Sequence, residues 1–267
     1  MFYRTLGVCA LSALVVTAAS ASPIYWTDWA TGDLDPSRGF EAQGTITTPS
    51  TSVAVTYRNP RGVAFLQSGT GTDYFQVNGV RDPSTSPYTS AAVDNIPTPA
   101  EMIGLRYATS QELLFSEAVV NPVFSFVSME GYGFAFSQDF EVLSVSDPSD
   151  GNSCGFWGCG SVRKEIVDLG DGTLQYRLVA NGDSVPNVPH GSIRLLGEVS
   201  SVSWLSLSND NWHGFTVGIP GTSAELLEPV DDFDGVFTPA SVPEPATLAL
   251  VALGCLGLRR VRRREYV

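Results

Sequence analysis

The 267-residue sequence predicts an all-β chain: an antiparallel β-sandwich of jelly-roll type, flanked by an N-terminal signal helix and a C-terminal transmembrane helix. Three observations lead there. Short segments such as Val53-Ala-Val-Thr-Tyr57 alternate apolar and polar residues, the period of a half-buried strand. Turn dipeptides such as Asn78-Gly79 and Asn181-Gly182 punctuate them. No segment between them carries the long helical period that the crossovers of a parallel sheet need.

The elements follow in chain order. Residues 1–21 open with a single charge, Arg4, run apolar from Leu6 to Ala19 and end on Ala19-Ser-Ala21. A charged start, an apolar core and a small-x-small end make a secretory signal peptide. The sandwich domain is expected over residues 22–219. Strands are expected at 53–57, 63–66 and 74–77, with Val53, Val55 and Tyr57 on one face. Residues 81–99 are polar with four prolines and predict a long loop. Thr98-Pro-Ala-Glu101 has the form of a capping box, so a helical turn ended by Gly104 is expected there.

The middle of the chain is its most apolar part, with strands expected at 112–116, 123–127, 133–137 and 140–145. Phe124/Phe126 and Phe134/Phe136 stand at strand spacing and belong in the core. Strands at 162–167, 174–179, 193–196, 199–207 and 213–219 complete the domain. Residues 220–241 turn acidic and proline-rich, the composition of a stalk.

The last segment, 242–267, has three parts in a fixed order. Val242-Pro243-Glu244-Pro245 cannot continue a helix from its N-terminal side. Residues 246–258 are uncharged and apolar on every face, as in a membrane helix. At about 1.5 Å per residue they cover roughly 20 Å, short of a full bilayer core. Arg259, Arg260, Arg262, Arg263 and Arg264 follow on one side only, and the positive-inside rule keeps them cytoplasmic. This arrangement resembles the PEP-CTERM sorting signal of Gram-negative bacteria. The resemblance implies export through the inner membrane, transient anchoring, and processing near Pro-Glu-Pro by a membrane transpeptidase of the exosortase class. It further implies delivery to the surface or matrix of a cell that makes extracellular polysaccharide. The same tail occurs on some ice-binding proteins.

Removing the signal peptide and the tail leaves nine basic and 26 acidic side chains, a net of −17. Nucleic acid is excluded as a partner, because that affinity comes from neutralising phosphates. Of four cysteines, Cys9 lies in the signal peptide and Cys255 in the membrane run. Cys154 and Cys159 remain, and an even pair in an exported domain predicts a disulfide.

Candidate chemistry is sparse. The two histidines, His190 and His213, are expected to be structural, and no Gly-x-Ser-x-Gly elbow occurs. Calcium is the one cofactor suggested, at Asp231, Asp232 and Asp234 or in the oxygen-rich loop Asp147-Pro-Ser-Asp-Gly-Asn152. Neither has EF-hand spacing, and Asx residues also belong in turns for their own reasons. Trp26, Trp29, Trp157, Trp204 and Trp212 are the pool from which a sugar-stacking surface could be drawn. Trp157, inside the cysteine loop, is the one expected at the surface, and Trp204 is expected in the core. The chain is thus expected to be non-enzymatic, a surface-targeted matrix or polysaccharide-binding component of the envelope. The alternatives are a glycoside hydrolase or lyase using paired carboxylates such as Glu130, Asp139 or Glu141, and an ice-binding protein. The latter would want flat threonine ladders, for which Thr45, Thr47 and Thr48 are too few.

Overall fold

The computed structural model describes residues 22–129, 133–182 and 187–227. Among them the strands are β1 (Tyr25–Trp26), β2 (Asp28–Asp35), β3 (Gly39–Thr47), β4 (Ser52–Asn59), β5 (Phe65–Ser68), β6 (Glu101–Leu105), β7 (Ser110–Val120) and β8 (Val123–Val127). They continue with β9 (Phe134–Phe136), β10 (Phe140–Val145), β11 (Val162–Asp168), β12 (Leu174–Ala180), β13 (Gly191–Leu195), β14 (Glu198–Ser206) and β15 (His213–Ile219). A short helix, α1 (Ser223–Leu227), follows.

These strands form two antiparallel sheets. The first runs β10-β13-β8-β15-β6-β5, with β1 pairing the far end of β15. The second runs β11-β12-β9-β14-β7-β4-β3-β2. From β7 onward the chain passes between sheets at nearly every step, with only the β11–β12 hairpin staying in one sheet.

Both sheets contribute to one core. Alternation does the sorting: Phe40, Ala42 and Ile46 of β3, and Val53, Val55 and Tyr57 of β4, point inward while their neighbours face solvent. Phe124 of β8 lies at the centre. It stacks on Phe215 at 4.9 Å and meets Phe134, Phe136 and Trp204 of the opposite sheet edge-on, each at 5.5 Å. Such pairs add about 0.5–1.5 kcal/mol each beyond their burial.

Strands β6, β8 and β15 are buried at every position, because the first sheet is covered on its outer side too. Phe75 and Tyr88 pack on Met102 and Val127, and Ile24, Trp26 and Val93 pack on Val123. The expected loop at 81–99 is therefore a loop that seals a sheet. Arg81 ties it down through Asp73 at 2.6 Å and the Pro97 carbonyl.

Several elements differ from expectation. No helical turn forms at 98–104. Ala100 takes a positive φ, residues 101–105 are β6, and the Glu101 carboxylate accepts the Trp29 amide at 2.7 Å. The segment 74–77 is not a strand. Only Val77 bridges, to Val80, across a turn in which Asn78 and Gly79 have φ of 50° and 83°. The strand expected at 63–66 begins two residues later, as β5. Strands β2 and β3 go beyond the expected set. Of the segment 220–241 expected as a stalk, the first residues carry α1, capped by Thr222 and Glu225, and residues 228–241 lie outside the described residues. The signal helix expected over 1–21 and the transmembrane helix expected at 246–258 lie outside the described residues. Among those described, no helix is long and apolar enough to cross a membrane.

Candidate functional site

The cysteine loop is where surface chemistry gathers. Cys154 and Cys159 are disulfide-bonded with Cα atoms 4.4 Å apart. Inside the loop the Gly155 amide donates to the Gly158 carbonyl at 2.8 Å, and Gly158 adopts a φ of 155° that favours glycine. Gly155 lies flat on the His190 imidazole, so that a Cβ there would collide with the ring. The base of the loop is held by backbone bonds from Ser153 to Thr85, Gly160 to Ser146 and Val188 to Cys159.

His190 forms the buried floor. Its Nδ1 accepts the Ser128 amide at 3.3 Å and lies 3.2 Å from the Tyr88 hydroxyl. Burial pushes its pKa down to about 3, so the floor is uncharged at neutral pH.

On the same loop Trp157 is 52% exposed. It contacts Phe156 at 4.8 Å, Tyr74 at 6.2 Å and Trp212 at 6.3 Å between ring centroids. Trp212 contacts Tyr74 at 4.9 Å and Phe65 at 5.0 Å. The five rings come from β5, the 69–80 segment, the disulfide loop and the residue preceding β15, and each is at least partly exposed. Phe65, Tyr74 and Trp157 are tilted 34–35° to their neighbours in this series, while Trp212 and Phe156 meet Trp157 edge-on.

Of the tryptophan pool, Trp26, Trp29 and Trp204 are buried, and Trp157 and Trp212 come together at the surface. Phe65 and Tyr74 join them without any signal in spacing. They lie far from Trp157 in sequence, and only the sheet order and the 69–100 segment bring them alongside.

Ser206 Oγ lies 3.4 Å from His213 Nε2, and His213 Nδ1 lies 3.5 Å from Asp210 Oδ2. Ser206 has no exposed surface and accepts Gln111 Nε2 at 2.6 Å. Gln111 Oε1 in turn accepts the Tyr57 hydroxyl at 2.6 Å, so the serine sits in a buried polar chain. Asp139 pairs with Lys164, and Glu141 pairs with Arg194 at 2.9 Å. Glu130 lies outside the described residues. A surface hollow of about 500 Å³ is lined by Asp33, Asp35 and Glu41 with Arg38 and Arg58. There Ser37 and Arg38 hold the Asp35 carboxyl below the usual range, and Arg58 does the same for Glu41. Burial raises the Glu101 pKa, but that side chain is nearly inaccessible and bonded to Trp29.

Among the described residues no cluster of three or more His, Cys, Asp or Glu side chains could hold a metal. Asp147 spends its carboxylate on the Ser149 amide and hydroxyl, the ordinary use of Asp in a turn. Asp231, Asp232 and Asp234 lie outside the described residues. So do Val242, Pro243, Glu244, Pro245 and the five tail arginines. Thr45 and Thr47 face solvent on β3, whereas Thr48 is buried and bonded to Glu225 at 2.5 Å.

Residues 241–264 match the family model of the PEP-CTERM protein-sorting motif. No curated protein and no solved structure matches the chain.

Proposed function

We propose that this PEP-CTERM protein, exported and sorted by an exosortase, is a non-enzymatic component of the cell envelope or its extracellular polysaccharide matrix. Export and sorting follow from the tail match at 241–264, the observation that carries the reading. The two sheets with one core between them are read as a sandwich of jelly-roll type serving as a rigid display scaffold. Two features support binding over turnover. A glycosidase needs one carboxyl held protonated beside a second that is ionised. Asp139 and Glu141 are instead each engaged by a cation, and in the acidic hollow Asp35 and Glu41 are pushed down. The Ser206-His213-Asp210 chain has its hydroxyl sealed in the core, which supports a structural role.

The test is a full-length chain with Pro243→Ala and Pro245→Ala in an exosortase-bearing host. The variant is expected to stay in the membrane fraction unprocessed while the parent is cut and released outward. Equal processing of both would sink the sorting assignment. Release of reducing sugar from matrix polysaccharide by the parent would sink the non-enzymatic one.

A further inference from the structure

We infer that the surface formed by Phe65, Tyr74, Phe156, Trp157 and Trp212 binds a neutral polysaccharide, stacking the flat carbon–hydrogen faces of successive sugar rings. This deepens the reading of the domain as a non-enzymatic binding module and rests on it.

The first argument is construction. Four separate segments deliver five rings to one place, with centroids 4.8–6.3 Å from their neighbours. Rings that only needed burial would go to the core, as Trp29 and Trp204 do. Here Trp157 is left 52% exposed on a loop closed by a disulfide and seated on the His190 ring. A rigid aromatic face gives up little entropy when a ligand orders against it.

The second argument is composition. Among the described residues most exposed large aliphatic side chains lie on other elements: Leu34 on β2, Val142 on β10, Ile166, Leu169 and Leu174 on the β11–β12 hairpin, Leu226 and Leu227 on α1; Val80, on the segment that supplies Tyr74, is the exception. The site is aromatic with polar groups nearby in the chain, exposed Thr72 two residues before Tyr74 and exposed Asn211 next to Trp212. Rings provide faces for a sugar, and hydroxyl and amide groups can meet its hydroxyls. A protein partner would be met by mixed aliphatic and aromatic groups.

The third argument is charge. The exported domain carries a net of −17, so an anionic polymer is repelled and a neutral one is not. The row of rings from Phe65 through Tyr74 to Trp157 offers more than one stacking position, which suits a polymer over a single sugar.

The experiment uses the exported protein recovered from the exosortase-bearing host, with tryptophan fluorescence titration and affinity electrophoresis. The probes are soluble mixed-linkage β-glucan and galactomannan, with alginate as the anionic contrast. At least one neutral polymer is expected to retard the protein and shift its fluorescence, and alginate to do neither. Trp157→Ala and Tyr74→Ala are each expected to weaken binding at least about tenfold. Leu169→Ala, on the distant hairpin, should leave it unchanged. Melting temperature is followed in each variant, and Trp157→Ala, being at the surface, should melt with the parent. No retardation by either neutral polymer overturns the inference, as does binding that both aromatic variants preserve. Self-association that Trp157→Ala abolishes, without glycan binding, overturns it in favour of a second copy as occupant. Sorting is scored separately by the tail variant, so a failed glycan titration with normal processing rejects this site alone. Sugar release during the titration rejects the non-enzymatic reading beneath it.

Discussion

At the scale of single residues, His190 shows how a titratable group can serve a binding surface without touching ligand. It is fully buried beneath Gly155, with its Nδ1 satisfied by the Ser128 amide. Its folded pKa of about 3 lies below the ordinary 6.5, so unfolding takes up a proton between those values. The stability it contributes is therefore complete above about pH 6.5 and is lost as pH falls towards 3. Between pH 7 and pH 4 the loss should come to about 3 kcal/mol at roughly 1.4 kcal/mol per pH unit. Denaturant midpoints of the parent and His190→Gln at both pH values provide the check. Depressed carboxyls such as Glu41 and Glu225 lose stability in the same direction but are common to both proteins. The parent should lose about 3 kcal/mol more than the variant, and equal losses would refute the assignment. The scarcity of histidine was legible in the sequence. The buried floor was not, because it depends on a glycine 35 residues earlier meeting the ring.

At the scale of elements, two Thr-x-x-Glu patterns have opposite fates. Thr98-Pro-Ala-Glu101 precedes a strand, and Thr222-Ser-Ala-Glu225 caps a helix. In the second, Thr222 Oγ1 accepts the Glu225 amide at 3.2 Å, and Glu225 Oε2 accepts the Thr222 amide at 2.8 Å. Burial works against the Glu225 charge, yet bonds from Ser50, Thr48 and Thr222 bring its pKa down to about 2. In the first, residues 101–105 have a vacant lane between β5 and β15, and pairing there outweighs a local capping preference. Glu225→Ala should cost about 1–2 kcal/mol. Thr98→Ala, at an exposed site, should stay within about 0.5 kcal/mol. Urea midpoints of the two variants decide, and a larger loss in Thr98→Ala would reverse the assignment. The strands from β7 to β15 were read well because aromatic and β-branched alternation is strong there. β2 and β3 are poor in such residues and rich in Gly, Gln, Asp and Thr, so their pairing shows only in the register with β4.

At the scale of the whole domain, the two sheets depend on one core. Phe215 stacks on Phe124 of its own sheet and meets Trp204 and Tyr57 of the other at 5.2 Å. Phe215→Ala should therefore cost about 3–5 kcal/mol. It should destabilise both sheets together, with far-ultraviolet circular dichroism and tryptophan fluorescence melting at one shifted temperature. Separate transitions for the two probes would argue against a common core.

What the sequence determined by itself was the sorting signal and the all-β class. Pro-Glu-Pro, an apolar run and an arginine cluster are contiguous at the end of the chain, so their order alone carries the sorting signal. Strand period is equally local, which is why the all-β class and the inward faces of β4 and β8 could be read directly. Tertiary structure decided which rings share the surface. Phe65, Tyr74, Trp157 and Trp212 are far apart along the chain, and their meeting depends on sheet order, on a segment sealing the first sheet, and on a disulfide loop seated over His190. None of those contacts is encoded in spacing, because long-range pairing is settled by the burial of the whole core and not by any one segment.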